Sequence, residues 1–524
     1  MKKFSVKRES YNPPRIAKVL FLISVAFLAG AAIMVVELAA NRILAPWFGN
    51  SLYTWTSLIG VILIALSVGY YLGGWLVDRN PAYSILATLL LLSALFVAAI
   101  PLLKGLFENF FEGDDVIYGS LAASLVLFAI PGALLASISP FCVRLISKTA
   151  DDRNIGISAG TISTASALGS VFGVFIAGFY LIPSFRISWI FIITAFLLLL
   201  LSAVVVALFY GRNCSPPYLG SFLLTAVVGY LAAGGLPQSE KSPSLLYEKT
   251  SFYHRIRVIE EKRGGEPLKL LTLDTTVEGA QYEDSREIPI AYQRFWELGG
   301  ALAGEAKRAA FLGGGAFTMP QALLDKYGDD VKVHAVEIDP YVIETARRFF
   351  RLNDYPALNT VADDARRFLQ KSDGRLDLIF GDVYNGVHYI PFHLVTREFF
   401  SLAKERLSEN GVFMMNLISG VIGEKSLFFG AICKTLQSSF PHIYLFQAEP
   451  IHPAKPQNLV IVASKKELSR KFEELKKDDA NPQIKKMLSR FVSPDRYDCS
   501  AAPLLTDDYN PVEFLVSRYT ESAK

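Results

Sequence analysis

The stretch "AAFLGGGAFTMP", residues 309–320, reads as the end of a buried strand, a glycine turn and the entry to a helix. An apolar run that breaks on glycines before a helical segment is the local pattern of a first parallel strand, whose turn lets a nucleotide approach the backbone. Downstream, "TMPQALLDKYG", "VKVHAVEID", "PYVIETARRFFRL", "LNTVADD", "LDLIFGD" and "GVFMMNLI" alternate helical and strand patterns. Such alternation predicts a parallel sheet covered by helices on both faces, an α/β Rossmann-like domain of the class I methyltransferase type. "HIYLFQAE" and "QNLVIVAS" add two further strands. Upstream, residues 246 to 283 alternate apolar and polar positions between Gly-containing turns, which predicts a small antiparallel sheet in front of the nucleotide fold.

The first half of the chain is of another kind. Seven mostly apolar stretches, near 16–36, 55–77, 83–103, 117–142, 156–182, 187–210 and 217–235, approach the length that crosses a hydrocarbon core of about 30 Å. The fold class is therefore a polytopic α-helical membrane domain followed by the α/β domain. Boundaries fall at 1–240 for the helices, 241–285 for the small sheet and 286–524 for the Rossmann-like part. Lys2, Lys3, Lys7, Arg8, Arg15 and Lys18 precede the first stretch, and Arg79, Arg144, Lys148 and Arg153 lie in later turns on the same side. The opposite side carries only Arg42, Lys104 and Arg186, so the N-terminal side is expected to be cytoplasmic. An odd span count would then place the α/β domain outside. The last stretch, short and bounded by Gly and Pro, is the weakest span, which favours a cytoplasmic catalytic domain in a multi-pass protein of the cell (inner) membrane.

Composition excludes other classes. A net charge of +3 and 19% charged residues carry no nucleic-acid footprint. Cys142, Cys214, Cys433 and Cys499 are scattered, so neither a zinc site nor a disulfide framework is expected, and no metal is invoked. Glu37 and Arg42 follow the first apolar stretch and Asp78 and Arg79 end the second. Pairing at helix ends is the plainer account of them, a transport site the sharper one. Gly69, Gly73 and Gly74, with the Ser/Ala/Gly-rich fifth stretch, are expected to let helices pack closely.

Candidate site residues sit at successive strand ends. Gly313, Gly314 and Gly315 follow the first strand, and Glu337 ends the second about twenty residues on, where an acid accepts from ribose hydroxyls. Asp339, before Pro340, is placed to cap the next helix instead. Asp364 follows the third strand, where a carboxylate can meet an adenine amino group, and Asp363 can cap the helix behind it. Asp382 ends the fourth strand in "GDVYNGVHYIPFH", residues 381–393, where a reacting atom of a second substrate would lie.

These residues resemble the spermidine synthase (polyamine aminopropyltransferase) family, in its membrane-fused branch. The likeness runs over roughly 246 to 465, and "VVELAANRILAPWFGNS" and "GYYLGGWLVDR" are similar to that branch's N-terminal region. The resemblance implies aminopropyl transfer from decarboxylated S-adenosylmethionine to an amine such as putrescine, releasing methylthioadenosine, with no cofactor beyond that cosubstrate. It implies that Gly313 to Gly315, Glu337 and Asp364 hold the cosubstrate and that Asp382 is catalytic; Tyr384 or Tyr292 is placed to assist. Gln281, Tyr292 and Asn385 fall near the polyamine site. Two positions depart from the pattern: Ala316 stands where the family has an acid after the glycines, and "DVYNG" puts Asn385 at the second acid of the loop. An ordinary S-adenosylmethionine methyltransferase is the nearest alternative. A transporter or sensor with a non-catalytic nucleoside domain is the other, and a span count of half a transporter leads to the expectation of a homodimer. The late segment "LLTDDYNPVEF", residues 504–514, also looks like the branch's ending, with no chemistry assigned.

Overall fold

The computed structural model describes residues 14–48, 51–111, 116–149, 155–210, 216–231, 244–251, 253–274, 276–304, 306–328, 330–372, 374–383, 390–478 and 481–520. The chain divides into two compact units, Met1–Glu240 and Lys241–Lys524.

In the first unit α1 (Arg15–Phe48), α2 (Leu52–Arg79), α3 (Tyr83–Phe111), α4 (Val116–Thr149), α5 (Ile155–Ile176) and α7 (Ile187–Tyr210) are long apolar helices. A π turn, Ala177–Leu181, and the short α6, Ile182–Ser184, close α5. Among the described residues six helices are long and apolar enough to cross a membrane, not seven, which is compatible with a multi-pass membrane protein. Of the seventh stretch the described residues form α8, Pro216–Tyr230, and these 15 residues rise about 22 Å, short of a hydrocarbon core of about 30 Å. The bundle is held by close backbone contact. A Cβ on Gly69 would lie 2.2 Å from the Ala133 carbonyl oxygen and one on Gly73 2.7 Å from Ser137, so α2 reaches α4 only because these positions are bare. Gly74 faces open space.

α1 also departs from expectation. It does not stop before Glu37 but runs on to Phe48, because "ELAANRILA" is made of good helix formers with no breaker before Pro46. Glu37 therefore lies inside the helix. Asp78 meets Arg144 of α4 at 4.0 Å, and the Arg79 guanidinium lies 3.7 Å over the Trp75 ring.

The second unit opens with an antiparallel sheet, β1 (Leu245–Thr250), β2 (Arg255–Arg263), β3 (Glu266–Leu273) and β4 (Thr276–Tyr282), in that spatial order. After α9 (Trp296–Ala303) come β5 (Arg308–Leu312), α10 (Thr318–Tyr327), β6 (Lys332–Glu337), α11 (Pro340–Phe349), β7 (Leu358–Ala362), α12 (Ala365–Lys371), β8 (Leu376–Gly381), α13 (Arg397–Arg406), β9 (Leu407–Ser419) and α14 (Leu427–Gln437). β10 (His442–Gln447), β11 (Gln457–Ser464), α15 (Ser469–Lys477), α16 (Pro482–Leu488), β12 (Phe491–Val492) and α17 (Val512–Thr520) complete it. The large sheet has the order β12-β10-β11-β9-β8-β5-β6-β7. β7, β6, β5, β8 and β9 pair in parallel, and β11 is antiparallel to both its neighbours, β9 and β10. This is the Rossmann-like, methyltransferase-type arrangement.

Burial follows from the order. Ala309 and Phe311 of β5 enter one core with Phe317, Val342 and Phe350, while Ala310 and Leu312 enter another with Phe400, Phe413 and Ile432. A strand buried on both faces has to read as an unbroken apolar run, as "AAFL", residues 309–312, does. Ile256, Val258 and Leu271 of the small sheet join the first of these cores. The chain leaves β5 toward β6 on one side and later fills β8 on the other. The crevice at the carboxyl ends of β5 and β8 is thus the switch point, where ligands settle in open α/β sheets.

Candidate functional site

The glycine turn is built around this crevice. Gly313 has φ +98°, and a Cβ there would lie 1.9 Å from the carbonyl oxygen of Asp382. Only glycine lets the turn press onto the end of β8. Three backbone hydrogen bonds knit the strand ends together: Gly313 N to Val336 O at 2.8 Å, Asp382 N to Leu312 O at 2.7 Å and Asp363 N to Glu337 O at 3.2 Å.

Glu337 ends β6, buried, with one carboxylate oxygen accepting from Gly314 N at 2.9 Å and the other from Asp339 N at 3.1 Å. Burial raises its carboxyl above the ordinary range, and these two N–H donors hold it back. Asp339 caps α11 by accepting from Tyr341 N at 2.9 Å, and its other oxygen accepts from the Ser251 hydroxyl. Beside them the buried His254 meets the partly buried Asp274, Nδ1 to Oδ2 at 3.1 Å. Burial works to lower the imidazole, but Asp274 outweighs it, with Glu337 and Asp339 adding to the pull, and His254 lies above its usual value.

Asp382 is the centre of a polar chain. Its Oδ2 accepts from the Tyr292 hydroxyl at 2.8 Å and its Oδ1 from Asn416 Nδ2 at 3.1 Å. Gln293 Nε2 donates to the Tyr292 oxygen at 3.4 Å, and Thr318 Oγ1 donates to Gln293 Oε1 at 3.2 Å. Burial pushes the Asp382 carboxyl up to about 6, against the pull of its two donors. Burial and then the Asp382 charge raise the Tyr292 phenol well above its usual value, so it stays a donor. Asn416 is 3% exposed and its Oδ1 has no hydrogen-bond partner among the described residues. A buried carboxyl near neutrality beside an acceptor left open is suited to receive a proton from a nitrogen while holding a cation.

Asp364, at the end of β7, serves as the cap that sequence reading gave to Asp363. Its Oδ1 accepts from Arg367 N at 3.0 Å, and its Oδ2 meets His393 Nε2 at 2.8 Å. Asp363 instead pairs with Arg367 and Lys371. The exchange has a simple cause: Asp364 has the extended backbone of an N-cap, φ −66° and ψ 138°, one residue ahead of the helix. Burial would raise Asp364, but His393 and the capped N–H outweigh it and hold the carboxyl below its ordinary range.

The structure thus brings Gly313 to Gly315, Glu337, Asp382 and Tyr292 to one crevice, with Asp364 at the neighbouring strand end. Gln281 is turned to α10, where its Nε2 donates to Gln321 Oε1 at 2.9 Å. Tyr384 and Asn385 lie outside the described residues. Ala316 is buried against Gly279 of β4.

Sequence reading missed Asn416, Gln293, His393 and Glu278. Asn416 had a signal, an amide inside the apolar strand "GVFMMNLI". Glu278 had none: Leu271 pairs with Gly279 and Thr272 with Val277, which leaves Glu278 as the extra residue of a β-bulge. Its carbonyl oxygen lies where a Cβ on Gly315 would meet it at 2.6 Å, and its charge helps to raise the Tyr292 phenol.

Comparison with known proteins covers most of the second unit and, for some relatives, more. The family described as spermine/spermidine synthase domain matches residues 292–474. A polyamine aminopropyltransferase of Vibrio vulnificus is 28% identical over 236 residues, 43% of this chain and 74% of that protein. Polyamine aminopropyltransferase 2 of Aquifex aeolicus is 22% identical over 440 residues, 80% of this chain and 83% of that protein, a span longer than the second unit alone. The crystal structure of spermidine synthase from Thermotoga maritima aligns at 20% identity with a TM-score of 0.39, covering 48% of this chain and 85% of that one.

Proposed function

We propose that the chain, which matches the spermine/spermidine synthase domain over residues 292–474 and is a transferase, moves the aminopropyl group of decarboxylated S-adenosylmethionine to a polyamine acceptor such as putrescine, releasing methylthioadenosine. In this reading the nucleoside lies across the glycine turn, its ribose hydroxyls on Glu337 and its adenine amino group on Asp364. Each acid keeps lone pairs beyond those already engaged.

The amine nitrogen attacks the carbon next to the sulfonium. A nitrogen–carbon bond forms, the carbon–sulfur bond breaks, and its electron pair stays on sulfur as a neutral thioether. An ammonium has no lone pair to attack with, so one end of the acceptor must first lose a proton. Asp382 takes that proton, Tyr292 and Asn416 Nδ2 fix its orientation, and Asn416 Oδ1 accepts from the nitrogen's remaining hydrogens. Tyr384 is assigned an assisting role and Gln281 and Asn385 contacts to the amine. Most of the acceleration comes from holding nitrogen, carbon and sulfur in line.

The observation that carries the reading is the crevice itself: Gly313 is pressed on the Asp382 carbonyl while Gly314 N binds Glu337, so nucleoside-binding and proton-accepting groups share one turn. Purified full-length protein offered both sulfonium donors and a panel of amines, with products identified by mass spectrometry, tests it. Methylated product from ordinary S-adenosylmethionine would replace this reading with the methyltransferase one, which the missing acid at Ala316 favours.

Six crossings from a cytoplasmic start return the chain to the cytoplasm, and we place the second unit there. Protease access to it in inside-out but not right-side-out vesicles is the expected result. Cross-linking in membranes at low protein density should give a dimer.

A further inference from the structure

The late segment that sequence reading left without a role reaches the adenine end of the proposed pocket. Arg366, in the first turn of α12, makes a two-pronged pair with Asp507 at 2.7 and 2.6 Å, and its Nη1 also donates to the carbonyl of His393 at 3.3 Å. Asn510 Nδ2 donates to the carbonyl of Phe392 at 2.8 Å. Asp507 is itself fixed, its N–H donating to Glu398 Oε2 at 3.0 Å, and Arg397 N donates to Leu505 O at 2.9 Å. Two successive carbonyls, those of Phe392 and His393, are thus held by the late segment and by the arginine it binds. The His393 ring in turn sits on Asp364.

We infer that Arg366, Asp507 and Asn510 are a positioning brace that sets the Asp364–His393 pair for the adenine amino group, making residues 505–510 a determinant of cosubstrate recognition. A planar guanidinium paired through both nitrogens fixes direction as well as distance, which a lysine or a water bridge would not. Without the brace, the loop carrying His393 loses two carbonyl contacts. Asp364 keeps its helix cap but loses the partner that orients its second oxygen.

The inference rests on Asp364 meeting adenine, so its test separates the two. Binding of methylthioadenosine and of methylthioinosine, which lacks the amino group, is measured by calorimetry on the full-length protein and on Asp507→Asn. The wild type should prefer methylthioadenosine. Asp507→Asn should lose about tenfold in affinity for methylthioadenosine, hold methylthioinosine as the wild type does, and raise cosubstrate KM with little change in kcat. Asp507→Glu should recover part of the loss, and in an Asp364→Asn background the Asp507 effect should vanish. Asn510→Asp, which removes the donor to Phe392 and keeps the Oδ1 that accepts from Val512 N, gives the same pattern more weakly and serves should Asp507→Asn fold poorly. Equal loss for both nucleosides, additivity with Asp364→Asn, or unchanged binding overturns the inference alone. A wild type that binds both nucleosides equally, or neither, overturns the adenine reading and the inference with it.

Discussion

Asp382 and Asp364 are the same side chain at the carboxyl ends of two strands of one parallel sheet, yet the fold tunes them in opposite directions. At the end of β8, burial carries Asp382 up to about 6 although two donors pull it down. At the end of β7, a histidine and a helix N–H overcome burial and hold Asp364 below its ordinary range. Both accept hydrogen bonds, so donors alone do not separate them. What separates them is that Asp382 has a neutral phenol and a neutral amide for company, whereas Asp364 has an imidazole and a helix N-terminus. One acid is thereby prepared to change its protonation state and the other to keep its charge.

The widest separation should come from removing each charge in turn. Asp382→Asn keeps the shape and one acceptor oxygen but cannot take a proton. Turnover should fall by about a thousandfold, the range of a lost general base, with methylthioadenosine affinity within twofold of wild type. Single-turnover rates and calorimetry on the same preparation read both numbers, and undiminished turnover would remove Asp382 from the proposed chemistry. Asp364→Asn should do the reverse. Cosubstrate KM should rise about tenfold, the scale of one charge-assisted hydrogen bond, with kcat little changed, since asparagine still caps α12.

The contrast also explains what could be read from the chain beforehand. The parallel sheet was legible because strands buried on both faces must be continuous apolar runs, and "AAFL", "LDLIF" and "GVFMM" have no other use in a water-soluble domain. The glycine turn, Glu337 and Asp382 were legible because a strand end fixes where a side chain points. The tuning was not. His393 lies 29 residues from Asp364, and Asn416 lies 34 from Asp382, distances over which only the folded sheet decides who meets whom. The cap was misread between Asp363 and Asp364 because two adjacent aspartates differ only in backbone angles. In the helical unit, length alone separates α8 from the six longer helices among the described residues, and the extension of α1 past Glu37 was hidden because a charged residue was taken to end an apolar run.

A pH profile sharpens the comparison further. Asp382 must be ionised to accept a proton, so kcat/KM should fall about tenfold per unit as pH drops below about 6. Tyr292→Phe removes a donor that favours the charged carboxylate, so the acid limb should move to higher pH and turnover at pH 7 should drop about fivefold. The preference for methylthioadenosine over methylthioinosine, which reads the Asp364 contact alone, should show no such limb near 6, because Asp364 is held below its ordinary range. A single limb common to both quantities would mean that the two acids titrate as one system and that the division of labour drawn above is wrong.

The smallest expected effect belongs to Glu278, and it asks how far the proton-accepting end extends. The bulge on β4 sets this residue beside Gly315, and its negative charge adds to that of Asp382 in raising the Tyr292 phenol. A cation entering the crevice would feel both carboxylates, and Glu278 then makes good part of the charge missing at Ala316. Glu278→Gln should raise the KM for the amine about threefold at low ionic strength, with the difference shrinking in high salt, since a partly exposed charge is screened over about a Debye length. kcat and methylthioadenosine affinity should hold, because the variant leaves the nucleoside contacts and the Asp382 hydrogen bonds in place. An amine KM that does not respond, measured at low salt where the field reaches farthest, would confine cation recognition to the Asp382 chain and leave the bulge a purely structural fit to the glycine turn.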